Sequence, residues 1–156
     1  MINLDIPGWK SISIKNIVFD YNGTLAVDGK ISKSTKKRIK KLKDILNIYI
    51  LTADTYGTVK EECRDLGVGI KTFPQENAGR EKKRIIQELG NNITISVGNG
   101  FNDIPMSEES ILSIGIIGEE GACGQIFNSC DIVVNNLENV FDILDNTDRI
   151  KATLRN

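Results

Sequence analysis

The sequence contains no histidine. That absence removes the usual general base near neutral pH, the commonest transition-metal ligand and every catalytic triad built on imidazole. Cysteine is scarce too: Cys63, Cys123 and Cys130 are odd in number and no two stand in a C-x-x-C pair, so neither a disulfide framework nor a zinc ribbon is indicated. They read as small buried hydrophobes. No apolar stretch approaches the roughly eighteen residues of a membrane span, and Met1–Pro7 lacks the basic region and apolar run of a secretory leader, so a cytoplasmic protein that does not engage membrane is expected. Charge of one sign is also missing: 20 basic against 21 acidic residues give a net charge of −1. Nothing global therefore draws the chain to nucleic acid or an anionic surface. What remains for chemistry is carboxylate, lysine, hydroxyl, backbone and a hard cation.

A length of 156 residues, 40% hydrophobic and 26% charged, suits a single domain over 1–156 with a core of about 15–145. Residues 2–6 and 11–15 alternate around Pro7-Gly8 and predict a short antiparallel pair. Ile17-Val18-Phe19 then runs into Asp20, followed by Gly23-Thr24, the pattern of a buried strand ending in a tight turn. Asp28-Gly29 between Val27 and Ile31 predicts a small hairpin flap. Ser32 or Ser34 caps the next helix, with Ile39, Leu42, Ile45 and Leu46 inward. Its other face carries Lys33, Lys36, Lys37, Arg38, Lys40, Lys41 and Lys43. This is either an attraction for an anionic partner or a solvated outer face; without interleaved aromatics, nucleic acid is disfavoured.

Ile48–Leu51 predicts a second core strand ending in Thr52-Ala53-Asp54-Thr55, then a helix from about Thr55 to Leu66 and a strand over Val68–Thr72. A loop at 73–79 leads into a helix from Arg80 to Leu89. That helix carries Lys82 in its first turn, where the helix dipole disfavours a cation. Ile93–Val97 predicts a fourth strand ending in Gly98-Asn99-Gly100-Phe101-Asn102-Asp103, a loop rich in the oxygen donors that Mg²⁺ prefers. Further strands are read at 112–117 and 131–134, a Gly-rich helix around 121–127, and a closing helix over 137–144 with a polar tail.

Strands alternating with helices at this spacing give a three-layer α/β fold, a Rossmann-like parallel sheet with helices on both faces. Right-handed crossovers put Asp20, Thr52, Asn99 and Asp103 on one sheet edge, with Lys82 reaching in. A carboxylate nucleophile, a hydroxyl and a cation for phosphate oxygens, backbone amides at Gly23 and Ala53, and an oxygen-rich loop make a site for phosphoryl transfer. Each element alone has a bland reading as a strand end, helix cap or surface lysine.

The four segments, in this order, resemble the motifs of the haloacid dehalogenase superfamily, and most of all its soluble members similar to the phosphorylation domain of P-type ATPases. The resemblance runs from about Ile17 to Val134. It implies that Asp20 becomes an aspartyl phosphate, that Thr52 and Lys82 hold the phosphoryl group, and that Mg²⁺ sits among Asp20, the Asn22 carbonyl, Asn99 and Asp103. Two positions depart from the pattern. Asn22 stands where the family's phosphatases carry the aspartate that serves as acid and base, which implies a slow enzyme. Asn99 stands where aspartate is common, which implies weaker Mg²⁺ binding. About 28 residues separate Thr24 from Thr52 and about 30 separate Thr52 from Lys82, leaving no room for the family's cap domain. An open site of this kind suits a phosphorylated small molecule or macromolecule, and pairing with a second copy stays open. The expectation is a Mg²⁺-dependent phosphohydrolase. The alternative is a phosphate-sensing or partner-binding module that has lost turnover with Asn22 and Asn99; halide removal from carbon is disfavoured by the metal-type loop.

Overall fold

The computed structural model describes residues 1–54 and 57–156. Six parallel strands form one sheet in the order β5-β4-β3-β6-β7-β8, with β3 (Asn16–Asp20) and β6 (Thr94–Gly98) at its centre. β4 (Asn47–Thr52) and β5 (Gly69–Thr72) extend one side, and β7 (Leu112–Ile116) and β8 (Ile132–Val134) the other. The order steps outward from β3 to β5 and then jumps back across to β6. Two neighbouring strands thus diverge at β3 and β6, the place where such sheets open a crevice.

Alternation along the strands divides the interior. Ile17 and Phe19 face one core with Ile48, Ile50, Ile95, Val97, Leu112 and Ile114. Val18 and Leu51 face a second with Ile85, Ile86 and Met106. The first core is covered by α1 (Lys33–Leu42), α2 (Thr58–Glu62), α5 (Leu137–Asp145) and α6 (Asp148–Leu154), the second by α3 (Ala78–Leu89) and α4 (Ile104–Glu109). Phe19, Ile39 and Ile86 have no exposed surface, and each such side chain contributes roughly 1.5–3 kcal/mol of transfer free energy. The antiparallel pair β1 (Ile2–Asp5) and β2 (Ser11–Ile14) packs on the first core through Leu4, Ile12 and Ile14.

The helices depart from the sequence expectation where their periodic signal is short. α1 stops at Leu42, so Leu46 is buried but Ile45 is 41% exposed. The helix expected from about Thr55 is described only from Thr58, Thr55 itself lying outside the described residues. α3 begins at Ala78, two residues early, which places Lys82 in its second turn and removes the dipole argument for that lysine. Ile93 closes a 3₁₀ turn (Asn91–Ile93) before β6. The expected helix around 121–127 is a 3₁₀ segment at Gly124–Asn128. α4 was not foreseen because six residues carry too little periodicity, although Pro105 in its first turn is a start signal. The polar tail folds as α6, anchored by buried Ile150.

The basic face of α1 is not simply solvated. Arg38 bonds Asp142 at 2.8 Å, Lys41 bonds Asp145 at 2.9 Å and Lys36 bonds Glu62 at 2.8 Å. Acids on α5 and α2 thus answer three of its cations. Among the described residues no helix is long and apolar enough to cross a membrane. Cys63 is buried and Cys123 and Cys130 half-buried; burial pushes the Cys63 and Cys130 thiols up to about 11, which keeps them unreactive.

Candidate active site

The chemistry collects at the carboxyl ends of β3, β4 and β6. Parallel register sets Asp20 opposite Leu51 and Phe19 opposite Val97, so the three strands end nearly level and their following loops meet. They enclose a cleft of about 420 Å³ lined by Asp20, Asn22, Thr52, Ala53, Lys82 and Asn99, together with Phe73, Gln75, Ala78, Gly100 and Asn102.

Lys82 is 2% exposed and reaches from α3 to the sheet edge. Its ammonium donates to Asp20 Oδ1 at 2.7 Å, Asp103 Oδ1 at 2.6 Å and Asn102 Oδ1 at 2.9 Å. Its three donors are matched to three acceptors, the condition for burying such a charge. Burial works against the ammonium, but Asp20 and Asp103 outweigh it and hold the Lys82 pKa above its ordinary value. Asp20 is pushed the other way: burial first, then the charge of Asp103, raises its carboxyl to about 7 against the pull of Lys82. Two carboxylates share one lysine in a poorly solvated place, so the site carries an uncompensated negative charge that an additional cation would relieve.

Thr52 is 2% exposed, and its hydroxyl oxygen accepts the Asp54 amide at 3.0 Å, which leaves the hydroxyl hydrogen to donate into the cleft. Asp54 in turn caps the following helix, taking the Val59 amide at 2.9 Å and the Thr58 hydroxyl at 2.6 Å. Ala53 lines the wall beside Thr52. After Asp20 the chain turns on its own bonds: Leu25 N donates to Asp20 O at 3.4 Å and Ala26 N to Tyr21 O at 2.9 Å. The flap is a two-residue turn at Asp28-Gly29, both at positive φ, closed by a mutual pair of 3.1 Å bonds between Val27 and Lys30 and held by the Tyr21 hydroxyl on Gly29 O at 2.8 Å.

Two expectations for single residues are corrected. Gly23 does not offer its amide to a phosphate, because that N–H donates to Ala26 O at 2.9 Å. Its duty is spatial: φ is +75°, and a Cβ would lie 2.6 Å from Asn99 Nδ2. Asp103 stands at the loop as expected but has no exposed surface. Its Oδ1 is spent on Lys82 and its Oδ2 on the amides of Asn99 and Gly100, at 3.0 and 2.9 Å. Asp103 braces the loop and the lysine from behind instead of facing a metal.

Asp20, Asn22 and Asn99 bring oxygen donors to the lining of the cleft, beside Thr52, Gln75 and Asn102. One carboxylate with neutral oxygen donors, and no nitrogen or sulfur ligand, fits a hard divalent cation that retains much of its water. The sequence reading counted Asn102 among the oxygen donors of the loop and gave no role to Thr24 or Gln75. Asn102 was legible, since it lies in the oxygen-rich loop. The Thr24 hydroxyl donates to Asn99 Oδ1 at 3.3 Å, a contact between segments 75 residues apart that no local pattern announces.

No protein-family model matches the chain. Over 123 residues it is 29% identical to a soluble P-type ATPase-like phosphatase of Methanocaldococcus jannaschii, covering 77% of this chain and 45% of that protein. The chain thus spans less than half the length of that relative. An uncharacterised protein of the same archaeon is 39% identical over 88 residues, which are 52% of this chain and 95% of that protein. The structure of 3-deoxy-D-manno-octulosonate 8-phosphate phosphatase from Moraxella catarrhalis, solved with magnesium, phosphate and its sugar, superposes with a TM-score of 0.70 at 18% identity over 91% of this chain and 94% of that one. That likeness concerns the fold. The sheet order and the four loops define the class as a Rossmann-like parallel α/β fold with a carboxylate at the end of a central strand. In sequence and fold the chain is similar to phosphatases of this kind, and among the described residues no cap domain is inserted between its strands.

Proposed function

We propose that the chain is a slow phosphohydrolase acting through an aspartyl phosphate on Asp20, with Mg²⁺ as its cation. The observation that carries this reading is the buried Asp20–Lys82 pair at 2.7 Å on the floor of an open cleft, with the Thr52 hydroxyl on the same wall. Asp20 attacks phosphorus, forming an oxygen–phosphorus bond as the bond to the leaving oxygen breaks. Thr52 donates to one equatorial oxygen, and Lys82 supplies positive charge beside the transferring group. Asp20, the Asn22 carbonyl and the Asn99 side-chain oxygen would hold Mg²⁺, which would supply charge to offset that of the phosphoryl oxygens and of Asp20. Water then attacks the acyl phosphate, releasing inorganic phosphate and the Asp20 carboxylate.

Asn22 lines the cleft where an acid would protonate the leaving group. An amide has no proton to lend and no basicity to activate water, and general acid–base help is worth about 10² to 10⁴ in rate. The intermediate is therefore long-lived. Without a cap the cleft admits a phosphorylated small molecule or the exposed phosphate of a macromolecule, in the cytoplasm. The test is hydrolysis of p-nitrophenyl phosphate with and without Mg²⁺, with trapping of the acyl phosphate, in wild type and Asp20→Asn. Turnover abolished by the substitution supports the reading. A protein that binds inorganic phosphate but releases no nitrophenol is instead a phosphate-sensing module.

A further inference from the structure

Asn99 is the most heavily used residue of the site, and its hydrogen bonds within the chain engage more than the one side-chain oxygen a cation would take. Its amide donates to Asp103 Oδ2 at 3.0 Å, and its carbonyl accepts the Cys123 amide at 2.8 Å. Its side-chain oxygen accepts the Thr24 hydroxyl at 3.3 Å, and its side-chain nitrogen donates to the Gly121 carbonyl at 3.1 Å. All four polar groups of one residue are engaged, and their partners lie on three different loops: the turn after β3, the loop after β6 and the turn after β7. Space agrees with bonding. Gly23 must lack a Cβ because the Asn99 amide lies against it, and a Cβ on Gly118, which opens the turn after β7, would stand 3.0 Å from Gly23 O. That same turn reaches the flap, where the Asp28 amide donates to Glu120 Oε1 at 3.2 Å.

We propose that Asn99 is a positioning residue, a tie whose side-chain nitrogen fastens the turn at Gly118–Gly121, and through it the flap, to the loop that braces Lys82. The atom that matters is the one aspartate lacks. At this position a carboxylate would face the Gly121 carbonyl oxygen without a hydrogen between them, and would add a third acid beside Asp20 and Asp103. Asn99→Asp, which looks like restoration of a family ligand, therefore loosens the site. All four contacts are within the chain, so the assignment stands apart from the phosphohydrolase reading and its test needs no substrate.

The experiment compares wild type, Asn99→Asp and Asn99→Ala in EDTA, by thermal unfolding and by hydrogen exchange followed over the peptide spanning residues 117–125. Asn99→Asp is expected to lower Tm by about 5 °C, the size of an orphaned carbonyl in a domain of this length, and to speed exchange of the Cys123 amide at least tenfold. Asn99→Ala is expected to speed the same amide, since it too lacks the nitrogen. If Asn99→Asp unfolds at or above the wild-type temperature with exchange over 117–125 unchanged, or if Asn99→Ala leaves that exchange unchanged, the tie does not exist.

Discussion

Replacing Asp20 by asparagine removes the charge that the site solvates least well, and the structure implies that this stabilises the fold at alkaline pH; on the proposed mechanism it also abolishes turnover. The carboxyl moves from 3.8 to about 7 on folding, driven first by burial and then by Asp103. Because the native state holds the proton more tightly than the unfolded chain, the stability contributed by this group is complete below about pH 4 and is lost as pH rises through about 7. With about 1.4 kcal/mol per pH unit, the native state forgoes about 4 kcal/mol above pH 7. Asparagine keeps a neutral acceptor for Lys82 and carries no such penalty. In a domain of this size that corresponds to about 10 °C in Tm. The assay is thermal unfolding by circular dichroism in EDTA, at pH 8 and at pH 4. The variant should melt about 10 °C above wild type at pH 8 and within about 2 °C of it at pH 4. A gap of equal size at both pH values, or a variant less stable at pH 8, would show that Asp20 is not strained by burial in the native state.

Lys82→Met leaves Asp20 and Asp103 buried without their shared cation, which should cost about 3–5 kcal/mol at pH 8; urea unfolding at pH 8 and pH 5 should show the deficit shrinking as Asp20 takes up its proton. Asn22→Asp supplies the missing acid and base and should raise steady-state hydrolysis of p-nitrophenyl phosphate by up to about 10²-fold, within the range of general acid–base catalysis; an unchanged rate would mean that another step limits turnover. Arg38→Ala breaks the partly exposed 2.8 Å bond to Asp142 and a contact with the ring of buried Phe141 at 5.4 Å, so a loss of about 1 kcal/mol in urea titration is expected.

The order of the four loops was readable from the chain because each sits after a short apolar run that ends in polar and glycine residues: Ile17–Phe19 before Asp20, Ile48–Leu51 before Thr52 and Ile93–Val97 before Gly98. A buried parallel strand needs apolar residues on both faces, so the period fails just where the sheet edge begins. The same logic placed Asp20, Thr52 and Lys82 together before any contact was known. The short helix α4 escaped it, because six residues contain under two turns of pattern.

Composition and local order thus determined which side chains are available for chemistry: no histidine, one carboxylate at a central strand end, one lysine ahead of an apolar helix face. Tertiary structure alone decided which atoms are free to act. Whether Asp103 faces a metal or braces Lys82, whether the Gly23 amide meets a phosphate or Ala26, and which side of the Asn99 amide meets Gly121 depend on hydrogen bonds that close between segments far apart in the chain. Such bonds are set by the packing of loops brought level by parallel register, a geometry that does not exist until the sheet has formed.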